Sequence, residues 1–517
     1  MFKIFKKIFN RFNLMLLLLL LQIVSVIILT DWLTWNFFYV YLAFLLLALV
    51  AIFSTLRKDE ASEYKLIWIL AMSNLGVYGV IFYYTFRNNR GSKDVGLKVK
   101  KEVERTKQYH QQDVELLKNL KEQNARFYGM SQLTGDQNYT TYTNTVCKYY
   151  PFGQDMFEDM LNDLKSAKNY IFMEYFIIHE GYMWSSILQV LIEKAREGVE
   201  IKLMTDGVGS SHLFSKKYIN FLKAHNIEVH FFSPLLPILA MLKNNRDHRK
   251  ILVVDGTVAF NGGINIGDEY INKIERFGTW KDTGLRLHGP AAWGFALMFL
   301  QMWQSFSRVY DFVDYEHYKV DFEKGQDVRQ VQLRKLDDSM TSVVIPFGVS
   351  PFGSERLGEN VYIEILNKAT NYVYLTTPYL ILSEKMIHAL RLAAKRGVDV
   401  RILMPGIPDK KLIYRVSKSY YRYLLNYGIA IYEYTPGFLH AKMFVSDDEI
   451  AVVGTINLDY RSLYLHFECG TLLCNKGAIA DIKHDFLDTM AQSRQVLKPS
   501  RRLFVVDTLI HIFTPLM

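Results

Sequence analysis

The sequence predicts an α/β protein in which two similar halves, each a largely buried sheet with covering helices, share one site and follow N-terminal membrane helices. Three observations predict it. The pattern His248-x-Lys250-x-x-x-x-Asp255 recurs as His440-x-Lys442-x-x-x-x-Asp447, and each copy runs on to a small pair and an asparagine, Gly262-Gly263-x-Asn265 and Gly454-Thr455-x-Asn457. Upstream, the apolar stretch Asn169-Tyr170-Ile171-Phe172-Met173 is echoed by Asn371-Tyr372-Val373-Tyr374-Leu375, and residues 198–204 are echoed by 397–404. Strands alternating with helical patterns in two long repeats argue for α/β halves. The third observation is a series of long apolar runs before residue 90.

Taken in chain order, residues 1–90 read as a membrane anchor. The chain has 517 residues, 50% hydrophobic and 14% aromatic, and much of that excess lies in this segment. The runs at 14–29, 37–56 and 66–86 approach the ~20 residues that a bilayer-crossing helix needs. Lys3, Lys6, Lys7 and Arg11 form a basic head, but no small-x-small cleavage site follows, so the first run reads as a retained anchor rather than a signal peptide. The connector 30–36 lacks Lys and Arg, which makes the first two runs a hairpin with both ends in the cytoplasm. The third run has basic residues on both sides and Ser73, Asn74 and Gly76 at its middle, the pattern of a segment that dips in and returns or lies at the interface.

Residues 91–136 read as a charged helical connector, 137–319 as the first half, 320–333 as a linker, 334–499 as the second half, and 500–517 as an amphipathic tail. Two stretches have double readings. The proline-broken apolar segment 234–242 is either core or an apolar rim at the mouth of the site, and 410–423 is either a packed helix or a headgroup contact.

The paired motifs carry the chemistry. Each His-x-Lys opens an apolar strand that ends at an Asp-Gly or Asp-Asp turn, so period-two alternation puts His and Lys on one face. Two such faces supply two imidazoles, two ammoniums and two carboxamides. Transfer at a phosphodiester needs that set: a nucleophile, a proton donor for the leaving alcohol, and fixed positive charge around the phosphoryl oxygens. One histidine attacks and the other protonates, while Lys250, Lys442, Asn265 and Asn457 hold phosphate oxygens. No metal or other cofactor is expected, since Cys147, Cys469 and Cys474 are scattered and neither a zinc-spaced nor a calcium-loop pattern occurs. The formal net charge of +9 suits nucleic acid or anionic lipid, and the anchor favours lipid. No nucleic-acid-binding signature is present.

These paired motifs resemble the phospholipase D superfamily, and several further stretches resemble the bacterial cardiolipin synthases: 246–250, 279–283, 377–379, and Gly454 to Glu468 with Asp459, Arg461 and Ser462. The resemblance covers essentially the whole chain. It implies two phospholipase D-like halves related by a pseudo-two-fold axis around one shared active site. The substrate implied is phosphatidylglycerol, in a multi-pass bacterial membrane enzyme with its catalytic part on the cytoplasmic face. It implies His248 as the nucleophile, His440 as general acid and then base, Asp282 as the orienting partner of the first histidine, and Glu468 as that of the second. Asp255 and Asp447, the last members of each motif, sit where a turn-forming duty suits them better than chemistry. A hydrolase forming phosphatidic acid, a transferase with another alcohol acceptor, and a non-catalytic membrane scaffold stay open at this point. Oligomeric state is not encoded in any pattern here.

Overall fold

The structure is a computed structural model that describes residues 38–58, 62–87, 90–232, 245–306, 312–320, 341–353 and 355–497, with isolated positions at 17, 20, 21, 24, 25 and 322. Nearly all of the run at 14–29, the segment 234–242, most of the linker and the tail 500–517 lie outside the described residues. The described residues form two compact units, one up to residue 90 and one from 91 to 497.

In the first unit, the helix Phe38–Leu56 packs against Ser62–Arg87. The latter is broken at Gly76, where φ is 50° and ψ is −125°, a conformation open to glycine. Its two arms fold back on each other. The ring of Trp68 lies 5.6 Å from Phe82 and 5.5 Å from Tyr83, residues that a straight helix would carry about 21 Å away. A Cβ on Gly79 would meet the Ala71 carbonyl oxygen at 2.2 Å, so only glycine permits this approach. Among the described residues no helix is long and apolar enough to cross a membrane.

The second unit is built on one sheet. In its first half the strands are β1 (Tyr142–Tyr150), β2 (Tyr170–Tyr175), β3 (Glu200–Asp206), β4 (Ile227–Phe232), β5 (Arg246–Asp247), β6 (Lys250–Val254), β7 (Val258–Gly262), β8 (Thr279–Lys281) and β9 (Gly284–His288). In its second half they are β10 (Thr341–Val349), β11 (Tyr372–Thr376), β12 (Asp399–Pro405), β13 (Ala430–Tyr434), β14 (Gly437–Leu439), β15 (Met443–Ser446), β16 (Ile450–Gly454), β17 (His466–Cys474) and β18 (Ser493–Gln495). The order is β18-β13-β12-β11-β15-β16-β17-β10-β1-β9-β7-β6-β2-β3-β4. Read outward from the central β1–β10 pair, β9-β7-β6-β2-β3-β4 repeats as β17-β16-β15-β11-β12-β13, so the duplication in the sequence is a duplication of topology.

The motif strands are central and apolar on both faces. Ile251, Leu252, Val253 and Val254 are fully buried, as are Val445, Ala451, Val452 and Val453. Such continuous runs fit strands covered by helices on both sides. The connector is helical, with Arg90–Arg105, Val114–Gln123 and Ala125–Gly135. It is also partly built into the fold, since Phe127 and Met130 are fully buried.

Asp255 and Asp447 belong to the same motifs as the catalytic histidines, but they lie at the far ends of β6 and β15, seven residues on, or about 23 Å of extended chain. Both residues sit in the hairpin turns at positive φ, 51° and 56°. Asp255 accepts N–H bonds from Lys168, Asn169 and Tyr170, and Asp447 does so from Thr370, Asn371 and Tyr372. Each carboxylate therefore ties its hairpin to the start of the neighbouring strand, and Arg126 pairs with Asp447 at 2.6 Å. Replacing Asp447 by alanine strands three backbone donors and a cation, which is expected to lower unfolding free energy by roughly 2–4 kcal/mol. Urea unfolding checks this; an unaltered midpoint would refute the turn-locking role.

Candidate active site

Two very short strand pairings assemble the site. β5 pairs in parallel with the start of β17, in the register His466 to Arg246 and Phe467 to Asp247. β14 pairs in parallel with β8, from Gly437–Thr279 to Leu439–Lys281. Each places a histidine of one half beside a carboxylate of the other. The His248 N–H donates to the Phe467 carbonyl at 2.9 Å, and the His440 N–H donates to that of Lys281 at 2.7 Å.

The carboxylate partners are consequently exchanged relative to the sequence expectation, which assigns Asp282 to the first histidine and Glu468 to the second. Nδ1 of His248 donates to Glu468 at 2.9 and 3.0 Å, and Nδ1 of His440 donates to Asp282 at 2.5 Å. The physical reason is the register just described: Asp282 follows β8, which lies along β14 and leads to His440, whereas Glu468 lies two residues into β17, which runs along β5 toward His248. Both carboxylates are fully buried. An ionised carboxylate can only accept, so each imidazole carries its proton on Nδ1 and keeps the Nε2 lone pair free.

The surroundings of the two carboxylates differ by one residue of the motif tail. Glu468 accepts further bonds from the Thr455 and Ser462 hydroxyls. The position equivalent to Thr455 is Gly263, where a Cβ would lie 2.1 Å from an Asp282 oxygen. Glycine makes room for the shorter acid; threonine gives the longer one a donor. Gly262 and Gly454 permit close backbone contact, since a Cβ on either would meet a carbonyl of the adjacent strand at 2.4 and 2.5 Å.

Lys250 and Lys442 each donate to the carbonyl of their own motif histidine, which holds both ammoniums at the site. Burial lowers Lys250 to about 8 and Lys442 to about 7, the latter helped by the charge of Lys250. An entering phosphate anion reverses that cost. The asparagines are not equivalent. Asn265 is already engaged, its Oδ1 accepting from the Ile177 N–H and its Nδ2 donating to Tyr270. Asn457 is buried, and among the described residues its Oδ1 has no partner.

Burial, with Lys442 nearby, holds His440 down at about 4 despite Asp282, and burial, with the charges of His248 and Arg461, outweighs Glu468 in holding His466 at about 4. His248 is lowered well below its ordinary value, first by burial and then by Lys250 and Lys442. In the unfolded chain these groups titrate near 6.5. As pH falls from about 6.5 toward about 4, the unfolded chain binds protons that the folded site refuses, so stability is lost across that window and not above it. A Tm measured in that window is expected to fall steadily; a flat profile would contradict neutral buried imidazoles.

His248, His466 and Glu468 are the only His/Cys/Asp/Glu group among the described residues whose ligand atoms lie close enough for a metal ion, all within 4.8 Å. Both Glu468 oxygens, however, are already engaged by His248, Thr455 and Ser462. His466 was not foreseen from the sequence. Its ring lies 5.7 Å from that of His248, its Nδ1 stands 3.7 Å from a Glu468 oxygen, and among the described residues neither ring nitrogen has a partner at hydrogen-bond distance.

Two sheet halves that exchange carboxylates across a His-Lys pair define the phospholipase D class of enzyme. Residues 160–275 and 362–490 match the family described as "Cardiolipin synthase, PLD-like domain". A cardiolipin synthase of Halalkalibacterium halodurans is 33% identical over 83% of this chain and 83% of its own length. An uncharacterized protein of Streptococcus mutans is 45% identical over 86% of this chain and 93% of its own. Phosphatidylserine synthase from Haemophilus influenzae Rd KW20 shares the fold, at a TM-score of 0.52 and 12% identity, over 71% of this chain and 91% of its own. The chain belongs to the cardiolipin synthase family of phosphatidyltransferase enzymes.

Proposed function

We propose that this enzyme transfers a phosphatidyl group from one phosphatidylglycerol to another, giving cardiolipin and free glycerol. Binding of the donor phosphodiester anion offsets the burial cost that keeps His440 neutral, so that His440 takes up a proton on Nε2. Nε2 of His248 then attacks the donor phosphorus, His440 gives that proton to the departing glycerol oxygen, and a phosphatidyl-histidine remains. The primary hydroxyl of a second phosphatidylglycerol then gives its proton to His440 and attacks phosphorus, which releases His248. One phosphodiester is exchanged for another, so no nucleotide is consumed. Lys250 and Lys442 hold the phosphoryl oxygens, and Asn457 completes that set from the second half. Asn265 is given a smaller share, because Ile177 and Tyr270 already engage it.

The observation that carries this reading is the pair of His–carboxylate bonds across the two halves, each leaving one Nε2 free for phosphoryl chemistry. The division into anchor, connector, two halves, linker and tail given above is part of the proposal. So is membrane attachment: Leu45, Leu46, Leu47, Val50 and Phe53 stand exposed on the helix Phe38–Leu56, a sheath suited to lipid rather than water. The broken helix at Gly76 fits a segment that enters and leaves by the same face. Anionic lipid is the partner and nucleic acid is not, with the catalytic unit on the cytoplasmic side of a bacterial membrane.

The test is mass spectrometry of the products formed from labelled phosphatidylglycerol by the purified full-length protein in mixed micelles containing EDTA. Cardiolipin with matching glycerol supports the transfer; phosphatidic acid alone would make the protein a hydrolase.

A further inference from the structure

A transferase whose acceptor is itself a phospholipid must seat two phosphates at once, and the motif residues account for one. The second lies one rung further along the exchanged strands. Arg246 and His466 are register partners in the β5–β17 pairing, and His248 and Glu468 follow two residues later on the same faces. That step spans roughly 7 Å along a strand. Across from this outer rung stands Arg461, on the short helix Tyr460–Tyr464 whose Ser462 bonds Glu468. Arg461 is exposed, yet enough protein surrounds it that burial lowers its guanidinium. Among the described residues it makes no hydrogen bond or ion pair, although Asp459, Arg246 and His466 are near enough to feel its charge. Lys410, exposed at the rim, bears on both His248 and Asp459.

We infer that Arg461, with His466 and Arg246, forms a second anion subsite that takes the phosphodiester of the acceptor lipid. The spacing fits the product: the two phosphorus atoms of cardiolipin are joined through a three-carbon bridge with an ester oxygen at each end, roughly 6–7 Å with bond lengths near 1.5 Å. With the acceptor phosphate on Arg461 and His466, its terminal hydroxyl reaches the phosphatidyl-histidine at His248. An open guanidinium suits a phosphodiester better than a lysine would, because it binds two oxygens in one plane. Water and free glycerol carry no phosphate and gain nothing from this subsite. The inference rests on the transfer reading proposed above and assigns its acceptor specificity.

The experiment compares two acceptors on the same enzyme: labelled phosphatidylglycerol, read as cardiolipin, and labelled free glycerol, read as its exchange into phosphatidylglycerol. In Arg461→Gln the ratio of the first to the second is expected to fall roughly 10- to 100-fold, the loss of a charge-assisted hydrogen bond, and Arg461→Lys is expected to restore part of it. A ratio equal to that of the parent enzyme in folded Arg461→Gln would overturn the subsite. Titration with inorganic phosphate, followed by ³¹P line broadening, reads the subsite without turnover. Two equivalents for the parent protein and one for Arg461→Gln support it, and one for both overturns it. Should the parent protein make phosphatidic acid alone, the transfer reading falls and the phosphate titration still decides the subsite.

Discussion

Replacing His248 by alanine is expected to abolish cardiolipin formation, a loss on the order of 10³-fold or more, together with every trace of covalent phosphatidyl-enzyme. His440→Ala is expected to lose turnover to a similar degree by another route. Without a proton donor the glycerol oxygen leaves poorly, so a donor lipid carrying p-nitrophenol in place of glycerol, whose leaving group needs no protonation, still loads the first histidine. Acid-labile label on His248 should then accumulate in His440→Ala, because nothing deprotonates the acceptor, and peptide mapping locates it. Label on His440 in the parent enzyme would reverse the order of the roles, which the motif alone does not set. Both imidazoles are neutral in the empty site, so charge does not tell the nucleophile from the acid, and whichever serves as acid takes up its proton once the phosphodiester is bound. What favours His248 as nucleophile is the family pattern together with Glu468, whose three donors fix it firmly behind that ring.

The parts of this site that the sequence displays are those with a local signature. His248, Lys250, His440 and Lys442 each open an apolar strand, and alternation alone puts them on a face. The repeat of 169–173 in 371–375 announces the duplicated topology, which the strand order then matches on either side of β1 and β10. The exchange of carboxylates has no such signature. It depends on β5, two residues long, β8 and β14, three residues each, pairing between distant parts of the chain, and segments so short show no periodicity. His466 escapes notice for a related reason, and Arg461, although it lies in the stretch that carries the family resemblance, shows no role there: only the register of His466 against Arg246 brings this segment to the site. At Gly76 the sequence does carry a signal, Ser73-Asn74 before a glycine in an apolar run. The small residue that lets the two arms close, Gly79, becomes meaningful only beside Ala71.

The exchanged pairing itself has a large and separable expected effect. In Glu468→Gln the carboxamide keeps the size of the acid but offers a donor to Nδ1, which shifts the imidazole proton to Nε2 and removes the lone pair that attacks phosphorus. The rate of loading is expected to drop roughly 10²- to 10⁴-fold, with glycerol or p-nitrophenol as leaving group alike. Asp282→Asn acts on His440 instead. It is expected to slow the reaction of phosphatidylglycerol by a comparable factor while the p-nitrophenol lipid still loads His248 in a near-normal burst, followed by slow transfer to the acceptor. Rapid-quench measurement of the burst in both variants decides the matter, because the pairing implied by family resemblance predicts the opposite: Asp282→Asn without a burst and Glu468→Gln with one. The mapped site of the label keeps this separate from an interchange of the two histidines. If His248 carries it and Asp282→Asn alone loses the burst, the bonds at 2.9 Å to Glu468 and 2.5 Å to Asp282 are not those that orient the working imidazoles.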